Sequence, residues 1–293
     1  MSDRHRGDIP CDRSELLGGA LVHHGPVSDR AYLVKPGDDP IEDIAILEHL
    51  AAEYGYGKLF AKVLSGSREA FEDAGFVAEA RVPLAHRGDE LLFCSRFLDS
   101  ARTAAAAEPD IELVLGESAA ASASLGEGAE ADPDCGLPPG LELGVAGPDD
   151  AGELAALYAR VFKSYPFPIG SAEFVAGEMA SGTVFAVARE ARRIVAVASD
   201  EVDTATRTSE MTDFATAPDH RGKGLASALL RELEEAARAR HVATAYTIAR
   251  ATSTGMNVVF ARQGYSYGGL LVNNTGICGT IESMNVWYRT LFD

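Results

Sequence analysis

The chain has 293 residues, of which 46% are apolar, so it can bury a large core, and two domains are expected. Its 44 acidic and 26 basic residues give a formal net charge of −18. This charge repels nucleic acid and anionic membranes and attracts cationic substrates, although it also suits a cytoplasm of high salt concentration. We expect a cytoplasmic protein with reduced thiols and no metal site. The sequence has no run of about 18 apolar residues and no signal peptide, and Cys11, Cys94, Cys135 and Cys278 lack metal-binding or redox spacing.

The first hundred residues predict a small α/β layer. Residues 1–28 look irregular and polar. The elements expected after them are strands at 32–34, 58–64, 76–82 and 91–98, and helices at 41–54 and 67–74.

A low-complexity linker is expected at residues 101–140, because alanine, serine, glycine, proline and acidic residues dominate there. We interpret it as partly disordered, apart from a possible short strand from Ile111 to Leu115.

Residues 141–293 predict a second domain with the element order β-α-α-β-β-β-α-β-α-β-β. Its most informative segment is 209–231, where a short strand is followed by the basic turn Arg221-Gly222-Lys223-Gly224 and an amphipathic helix. This arrangement directs several backbone N–H groups and the positive end of a helix dipole at one spot, which favours a phosphate. The alternative is a glycine turn that caps an ordinary amphipathic helix.

Two short patterns of the first domain recur in the second. Phe71-x-x-x-Gly75-Phe76 matches Phe260-x-x-x-Gly264-Tyr265, and residues 92–96 resemble residues 286–290. We therefore expect residues 1–100 to repeat the later half of the second domain without its phosphate turn, in a structural or lid role.

The spacing Arg221-x-x-Gly224-x-Ala226 and the order of elements over residues 141–293 resemble the GNAT acetyltransferases. The resemblance implies an α/β fold with a mixed (α+β) sheet, in which a GNAT acyl-CoA-binding domain follows a smaller GNAT-like half-domain. It also implies acetyl-CoA as co-substrate. The residues that it assigns to acetyl-CoA are Phe214, Ala215, Thr216, Arg221, Gly222, Lys223, Gly224, Leu225, Ala226, Asn257 and Phe260.

The same resemblance implies direct attack of a free amine on the thioester, without a covalent acyl-enzyme. A carboxylate on the strand before the turn commonly takes the proton of the amine, and Glu210 and Asp213 are the candidates. Three residues separate them, which places them on opposite faces of a strand, so that one alone would face the acceptor. Surface or ion-paired carboxylates are the alternative.

Two positions depart from the family pattern. Phe260 stands where the family often has a tyrosine that protonates the leaving sulfur, and Ser253 stands where it often has an asparagine. Tyr165 or Tyr265 is then the candidate acid, and Asn257 is a candidate for a hydrogen bond to the pantetheine.

Within the family, residues 210–216, the Tyr-Pro-Phe-Pro loop at 165–168 and the run at 273–288 resemble the β-lysine acetyltransferases. This implies acetylation of the 6-amino group of β-lysine, which yields a compatible solute, with the acceptor held where that loop meets the final hairpin. The candidate substrate-binding residues are Tyr165, Phe167, Asn273, Asn274, Glu282 and Asn285. The alternatives are acetylation of lysine, a polyamine or another amine, or an acyl-CoA-binding regulatory module without catalysis.

Overall fold

A computed structural model of the protein describes residues 11–84, 86–107, 109–124 and 137–292. These residues form one mixed sheet of 13 strands with helices packed on it. The predicted α/β class with a mixed sheet is confirmed.

The elements lie close to the predicted positions. The strands are β1 Arg13–Leu17, β2 Ala20–Gly25, β3 Arg30–Lys35, β4 Lys58–Leu64, β5 Val77–Leu84, β6 Asp89–Phe97, β7 Leu141–Val145, β8 Val184–Glu190, β9 Arg193–Asp203, β10 Thr208–Thr216, β11 Thr244–Arg250, β12 Ser266–Ile277 and β13 Thr280–Thr290. The helices are α1 Pro40–Tyr54, α2 Arg68–Asp73, α3 Pro109–Ala123, α4 Ala151–Val161, α5 Ala172–Ser181, α6 Leu225–Ala239 and α7 Thr254–Arg262.

Two expectations about local structure were wrong. The segment 13–25, expected to be irregular, forms β1 and β2. Its polar composition indicated a solvated segment, but His23 and His24 are buried in β2 and hydrogen-bonded. The segment from Ile111 to Leu115 is part of helix α3, which packs against α7. Residues 1–10, 85, 108, 125–136 (with Cys135) and 293 lie outside the described residues, and the predicted linker therefore falls partly outside them.

The chain contains a topological repeat. The unit β3-α1-β4-α2-β5-β6 has its strands in the order β3-β4-β6-β5, and the unit β10-α6-β11-α7-β12-β13 has the order β10-β11-β13-β12. Each unit begins with a parallel strand pair. The glycines noted in the sequence, Gly75 and Gly264, both have a left-handed backbone, with φ of 82° and 79°. The recurring sequence patterns therefore lie at equivalent positions of the two units.

The two units meet where β5 lies beside β12. The contact is close because Gly268 and Gly269 have no side chains: a Cβ at either position would overlap the carbonyl oxygen of Arg81 or Glu79. The seam also buries Lys58, whose ammonium donates to Glu79 Oε2 (2.9 Å) and to the carbonyl of Val272 (2.7 Å). Burial lowers the pKa of Lys58 to about 7, although Glu79 acts to raise it.

One hydrophobic cluster spans the seam on one face of the sheet. Its members from the first unit include Tyr32, Phe60 and Phe93, and those from the second include Tyr246 and Met284. Because these side chains pack together, strands of the first unit are held beside β11 and β13.

Candidate active site

The basic turn before α6 has the geometry of an anion cradle. Gly222 and Gly224 have φ of 74° and 75°, and a Cβ built on either glycine would meet open space. Within the described residues, no backbone acceptor pairs with the N–H groups of residues 222–226. The turn is exposed and α6 has no side-chain cap. These free amides and the positive end of the α6 dipole can therefore bind an anion.

Strands β10 and β11 separate beside this turn. They pair in parallel along Thr208–Glu210 and Thr244–Tyr246, and among the described residues no further pair joins them. Beyond Glu210, β10 remains paired with β9 on its other side, through Ala215 with Val197 and Thr216 with Ala196. The edge of residues 214–216 that faces β11 is thus open to a ligand. The part that these residues play in binding a cofactor stays a prediction.

A β-bulge between Thr212 and Ala215 changes the direction of the side chains on β10. Asp213 lies in the bulge with φ of 54°. Strict alternation placed Glu210 and Asp213 on opposite faces, but the bulge shifts the alternation and both carboxylates line the same cavity. The expectation that Glu210 and Asp213 lie on opposite faces of the strand was therefore wrong.

The cavity between β10 and β11 has a volume of about 200 Å³. Both units supply its walls, and the first unit contributes Arg30, Tyr32, Val34, Phe60 and Lys62. No site residue was predicted in the first unit. One signal was present there: β4 carries Lys62 in an otherwise mostly apolar strand.

Three carboxylates meet in the cavity. Glu201 on β9 lies directly opposite Glu210 on β10, and Asp213 is close to both. Loss of hydration raises the pKa of each carboxyl above its ordinary value, and the charges of Glu210 and Asp213 raise the pKa of Glu201 further, although much of the Glu201 side chain is exposed to solvent. Glu201 was missed in the sequence, because it follows a long apolar strand and nothing in its neighbours marks it.

Glu210 is the end of a hydrogen-bonded chain. The hydroxyl of Tyr246 donates to Glu210 Oε2 (3.1 Å), and the ammonium of Lys62 donates to the hydroxyl of Tyr246 (3.0 Å). Burial acts to lower the pKa of Lys62, but Tyr246, Tyr32 and Glu210 raise it well above its ordinary value. Lys62 is thus a fixed positive charge behind Glu210, and it favours the ionised form of that carboxylate.

Both oxygens of Asp213 accept hydrogen bonds. Tyr165 donates its hydroxyl to Oδ1 and Ser199 donates to Oδ2, each at 2.7 Å. These bonds lower the pKa of Asp213, although burial outweighs them. Burial, followed by the charge of Asp213, raises the pKa of Tyr165 well above its ordinary value.

The loop after α4 contacts the β12–β13 hairpin, as the sequence predicts for the acceptor site. Cys278 donates its N–H to the carbonyl of Ser164 (3.1 Å), and Gly279 donates to the Ser164 hydroxyl (2.7 Å). Tyr165 and Phe167 from this loop line the cavity, and the Phe167 ring lies 4.3 Å from the ring of His23. The loop therefore forms part of the cavity wall and contacts both the β12–β13 hairpin and β2.

Several predicted site residues bind within the protein instead. Asn257 donates to the carbonyls of Arg250 and Ser253, and its Oδ1 accepts from Asn285 (2.9 Å) and Trp287 (2.8 Å). Since every hydrogen-bonding position of Asn257 is occupied, its side chain is not available to a pantetheine, contrary to expectation.

Asn285, Glu282 and Asn273 likewise lie outside the cavity wall. Asn285 is fully buried on Asn257, Glu282 forms a bidentate ion pair with Arg250 (both contacts 2.7 Å), and Asn273 donates to the carbonyl of Arg102. These three were predicted to bind the substrate, and their side chains serve the fold instead. Asn274, by contrast, lines the cavity.

The family's tyrosine position is filled by a packed aromatic ring. Phe260 is buried edge-on against Phe214 (5.5 Å) and Tyr265 (5.2 Å), and both Phe260 and Ser253 line the cavity. The hydroxyl of Tyr265 is buried away from the cavity wall. Among the hydroxyl candidates named from the sequence, Tyr165 is the one that the cavity exposes.

Within the described ranges, no cluster of three or more His, Cys, Asp or Glu side chains has the geometry to hold a metal ion. No helix in those same ranges is long and apolar enough to cross a membrane.

The chain is similar in sequence to known acetyltransferases. A model of the acetyltransferase (GNAT) family matches residues 154–265. The beta-lysine N(6)-acetyltransferase of Methanococcus maripaludis is 32% identical over 273 residues, which cover 93% of this chain and 97% of that protein. The protein of the same name from Methanosarcina mazei is 37% identical over 155 residues, which cover 53% of this chain and 57% of that protein. The crystal structure of an N-acetyltransferase from Staphylococcus aureus Mu50 is 18% identical with a TM-score of 0.46, and the match covers 52% of this chain and 99% of that one.

Proposed function

The chain belongs to the acetyltransferase (GNAT) family, and from this premise we propose that it transfers the acetyl group of acetyl-CoA to the 6-amino group of β-lysine. The observation that carries the proposal is the cavity with three carboxylates, which opens where β10 and β11 separate, beside the glycine turn. The name of the relative that matches nearly the whole chain supports β-lysine as the acceptor.

The turn before α6 fits the pyrophosphate of coenzyme A. We assign the phosphate contacts to the free amides of residues 222–226 and to the side chains of Arg221 and Lys223, because an exposed cradle of amides at a helix N-terminus favours an anion. The open edge of residues 214–216 is assigned to the pantetheine, and a free N–H there would stabilise the developing oxyanion by roughly 3 kcal/mol. Acetyl-CoA supplies the acetyl group as a reactive thioester.

We assign the role of general base to Glu210. An alkyl amine has a pKa near ~10.4, so about one molecule in a thousand is nucleophilic at neutral pH, and a proton acceptor is needed. Glu210 Oε2 is held by Tyr246, whereas Oε1 has no partner within the described residues. Its raised pKa brings the carboxylate closer to the working pH, which makes it a better base.

Asp213 is assigned to orient the groups around the acceptor. Because both of its oxygens already accept hydrogen bonds, Asp213 fixes the hydroxyl of Tyr165 at the cavity wall. Tyr165 is the candidate acid for the leaving thiolate, but it is a weak one, because its proton is donated to Asp213 and its pKa is raised. A thiol with a pKa near ~8.5 leaves without strong assistance, so we expect this acid to contribute modestly.

The cavity suits a small cation with an aliphatic chain. Its volume is below the roughly 300–1,000 Å³ of pockets for drug-sized ligands. The carboxylates favour ammonium groups, while Phe60, Phe162 and Phe167 offer apolar surface to methylene groups. Acetylation would remove one charge from β-lysine and leave a zwitterion of zero net charge. We therefore also propose that the product serves as a compatible solute in the cytoplasm.

The test is a thiol-release assay with acetyl-CoA and, in parallel, β-lysine, α-lysine, ornithine and spermidine. We expect kcat/KM for β-lysine to exceed the others, and the product to carry its acetyl group on the 6-amino nitrogen by NMR. A preference for another amine would refute the substrate assignment. Binding of acetyl-CoA without turnover of any amine would refute catalysis and favour an acyl-CoA-binding module.

A further inference from the structure

The charges of the cavity are not all negative, since Arg30 from the first unit also lines it. We propose that Arg30 binds the carboxylate of the amine substrate and so restricts the enzyme to amino acids over simple diamines. The inference rests on the proposed function and assigns to the first unit a direct part in substrate choice.

The guanidinium of Arg30 is held in one orientation. Its Nη1 donates to the carbonyl of Asn274 (2.6 Å) and to the hydroxyl of Thr275 (3.2 Å). The group lies over the rings of Tyr32 and Phe60, at 4.9 Å and 5.3 Å from their centroids. Arg30 is 3% exposed, so it is fixed before any substrate arrives.

Arg30 lacks the anion that accompanies the other buried cations of the seam. Lys58 pairs with Glu79 at 2.9 Å, and Arg102 pairs with Asp29 at 2.9 Å. No carboxylate in the described part of the chain forms an ion pair with Arg30, and its buried Nε has no hydrogen-bond partner there. The charges of Asp12 and Glu210 act on Arg30 without an ion-pair contact. Because a buried cation without a direct counter-ion is costly, this site is completed by an anion from outside the chain.

The free edge of Arg30 matches a carboxylate. Nη1 is engaged, whereas Nε and Nη2 have no hydrogen-bond acceptor within the described residues, and their two parallel N–H bonds have the arrangement that binds the two oxygens of a carboxylate. Burial lowers the pKa of Arg30 to about 10, so the group is still charged at neutral pH. The three carboxylates elsewhere in the wall attract ammonium groups, and the cavity therefore has complementary sites for both charges of an amino acid.

A second unpaired atom supports this assignment. Asn274 is 1% exposed and its Oδ1 has no donor within the described residues. Its own carbonyl is bonded to Arg30, so the side chain lies next to the proposed carboxylate site. A β-amino acid carries its 3-ammonium close to its carboxylate, and that ammonium can donate to Asn274 Oδ1.

The test compares substrates with and without the carboxylate charge. For the wild-type enzyme, kcat/KM and calorimetric Kd are measured with β-lysine and with β-lysine carboxamide, and with α-lysine and cadaverine. We expect the member of each pair that lacks the carboxylate to be disfavoured by about 100-fold, mainly in KM and Kd, as for loss of one partner of a buried charge pair. Equal values for the members of both pairs would overturn the proposal without any variant.

The variants are Arg30→Gln and Arg30→Lys, with Arg102→Gln as the matched control from the same seam. Arg30→Gln should remove the discrimination within each pair, and Arg30→Lys should restore part of it, while Arg102→Gln should keep the wild-type ratio. Thermal unfolding is measured for all three. The carboxylate site would be refuted if folded Arg30→Gln kept the wild-type ratio of kcat/KM values within each pair. It would also be refuted if the variant raised the Kd for acetyl-CoA and left the Kd for the amine unchanged.

The outcome separates this inference from the proposed function. If the wild-type enzyme acetylates β-lysine and its carboxamide equally well, the function stands and the Arg30 site fails. If it acetylates α-lysine over β-lysine and rejects cadaverine, the substrate assignment fails and the Arg30 site stands.

Discussion

Glu201 and Glu210 are directly opposite each other on the antiparallel strands β9 and β10. Like charges at opposed positions destabilise a sheet, and here both carboxyls face the same cavity with Asp213 beside them. The positive charge of Lys62, which is linked to Glu210 through the hydroxyl of Tyr246, partly offsets this repulsion. A bound ammonium group would complete the neutralisation, so we expect the site to bind a cation.

Replacement of one opposed carboxylate should weaken amine binding. We expect Glu201→Gln to raise KM for the amine by about tenfold, while KM for acetyl-CoA stays unchanged. The carboxylates act in their ionised forms, so kcat/KM should fall at low pH, where they become protonated. Because their pKa values are raised, this acid limb of the pH profile should lie above the ordinary range of a glutamate. Glu201 is the carboxyl whose pKa is raised well above its ordinary value, so its removal should shift the limb to lower pH in the variant. Glu235→Gln, the same charge change on the exposed face of α6, should leave both KM and the limb unchanged.

The two candidate bases should be separable by kinetics. Glu210→Gln should lower kcat by about 100-fold or more, the usual contribution of a general base, and should flatten the acid limb of the pH profile. Asp213→Asn should lower kcat less and keep the limb, because Glu210 still accepts the proton. The reverse pattern would transfer the role of base to Asp213.

The glycine turn should be essential for coenzyme A. Gly224→Asp places a side chain on a left-handed residue and a negative charge in the anion cradle, so we expect no measurable binding of coenzyme A by calorimetry. Gly55→Asp is the matched control: Gly55 also has φ of 74° and open space around its Cβ, but it ends α1 in the first unit. Equal loss of affinity in the two variants would mean that backbone strain, and not the cradle, explains the result.

Asn257 should prove structural. Asn257→Ala leaves the buried donors of Asn285 and Trp287 without their acceptor, so we expect the free energy of unfolding to fall by about 2–4 kcal/mol. Below the melting temperature the Kd for coenzyme A should stay within about twofold of the wild-type value. A large rise in that Kd with little change in unfolding would instead support the predicted contact with pantetheine.

Much of the second unit is predictable from the sequence. The order of its elements and the turn at Arg221–Gly224 rest on local signals, namely hydrophobic periodicity and glycine spacing, and the structure agrees with the predicted order. Local signals failed where tertiary contacts decide. Asn257 and Glu282 resemble ligand-binding residues in sequence, and their partners inside the fold become visible only when β11, α7 and β13 are packed together.

The bulge in β10 and the wall from the first unit were not predictable in the same way. No proline or glycine marks residues 212–215, so simple alternation was the natural expectation for Glu210 and Asp213. Arg30 and Lys62 are more than 140 residues from Glu210 in the chain. Their approach to the cavity depends on the β5–β12 seam, whose single close pairing is made possible by Gly269.

The seam also constrains the order in which the chain acquires its structure. Arg30, Lys58 and Arg102 donate to carbonyls of residues 272–274, at sequence separations of 171 to 244 residues. The ribosome delivers the first unit early, and contacts this distant along the chain form late and slowly. The early part of the chain is therefore synthesised with cations that still lack one of their acceptors, and it completes its native hydrogen bonds only after the β12–β13 hairpin has emerged.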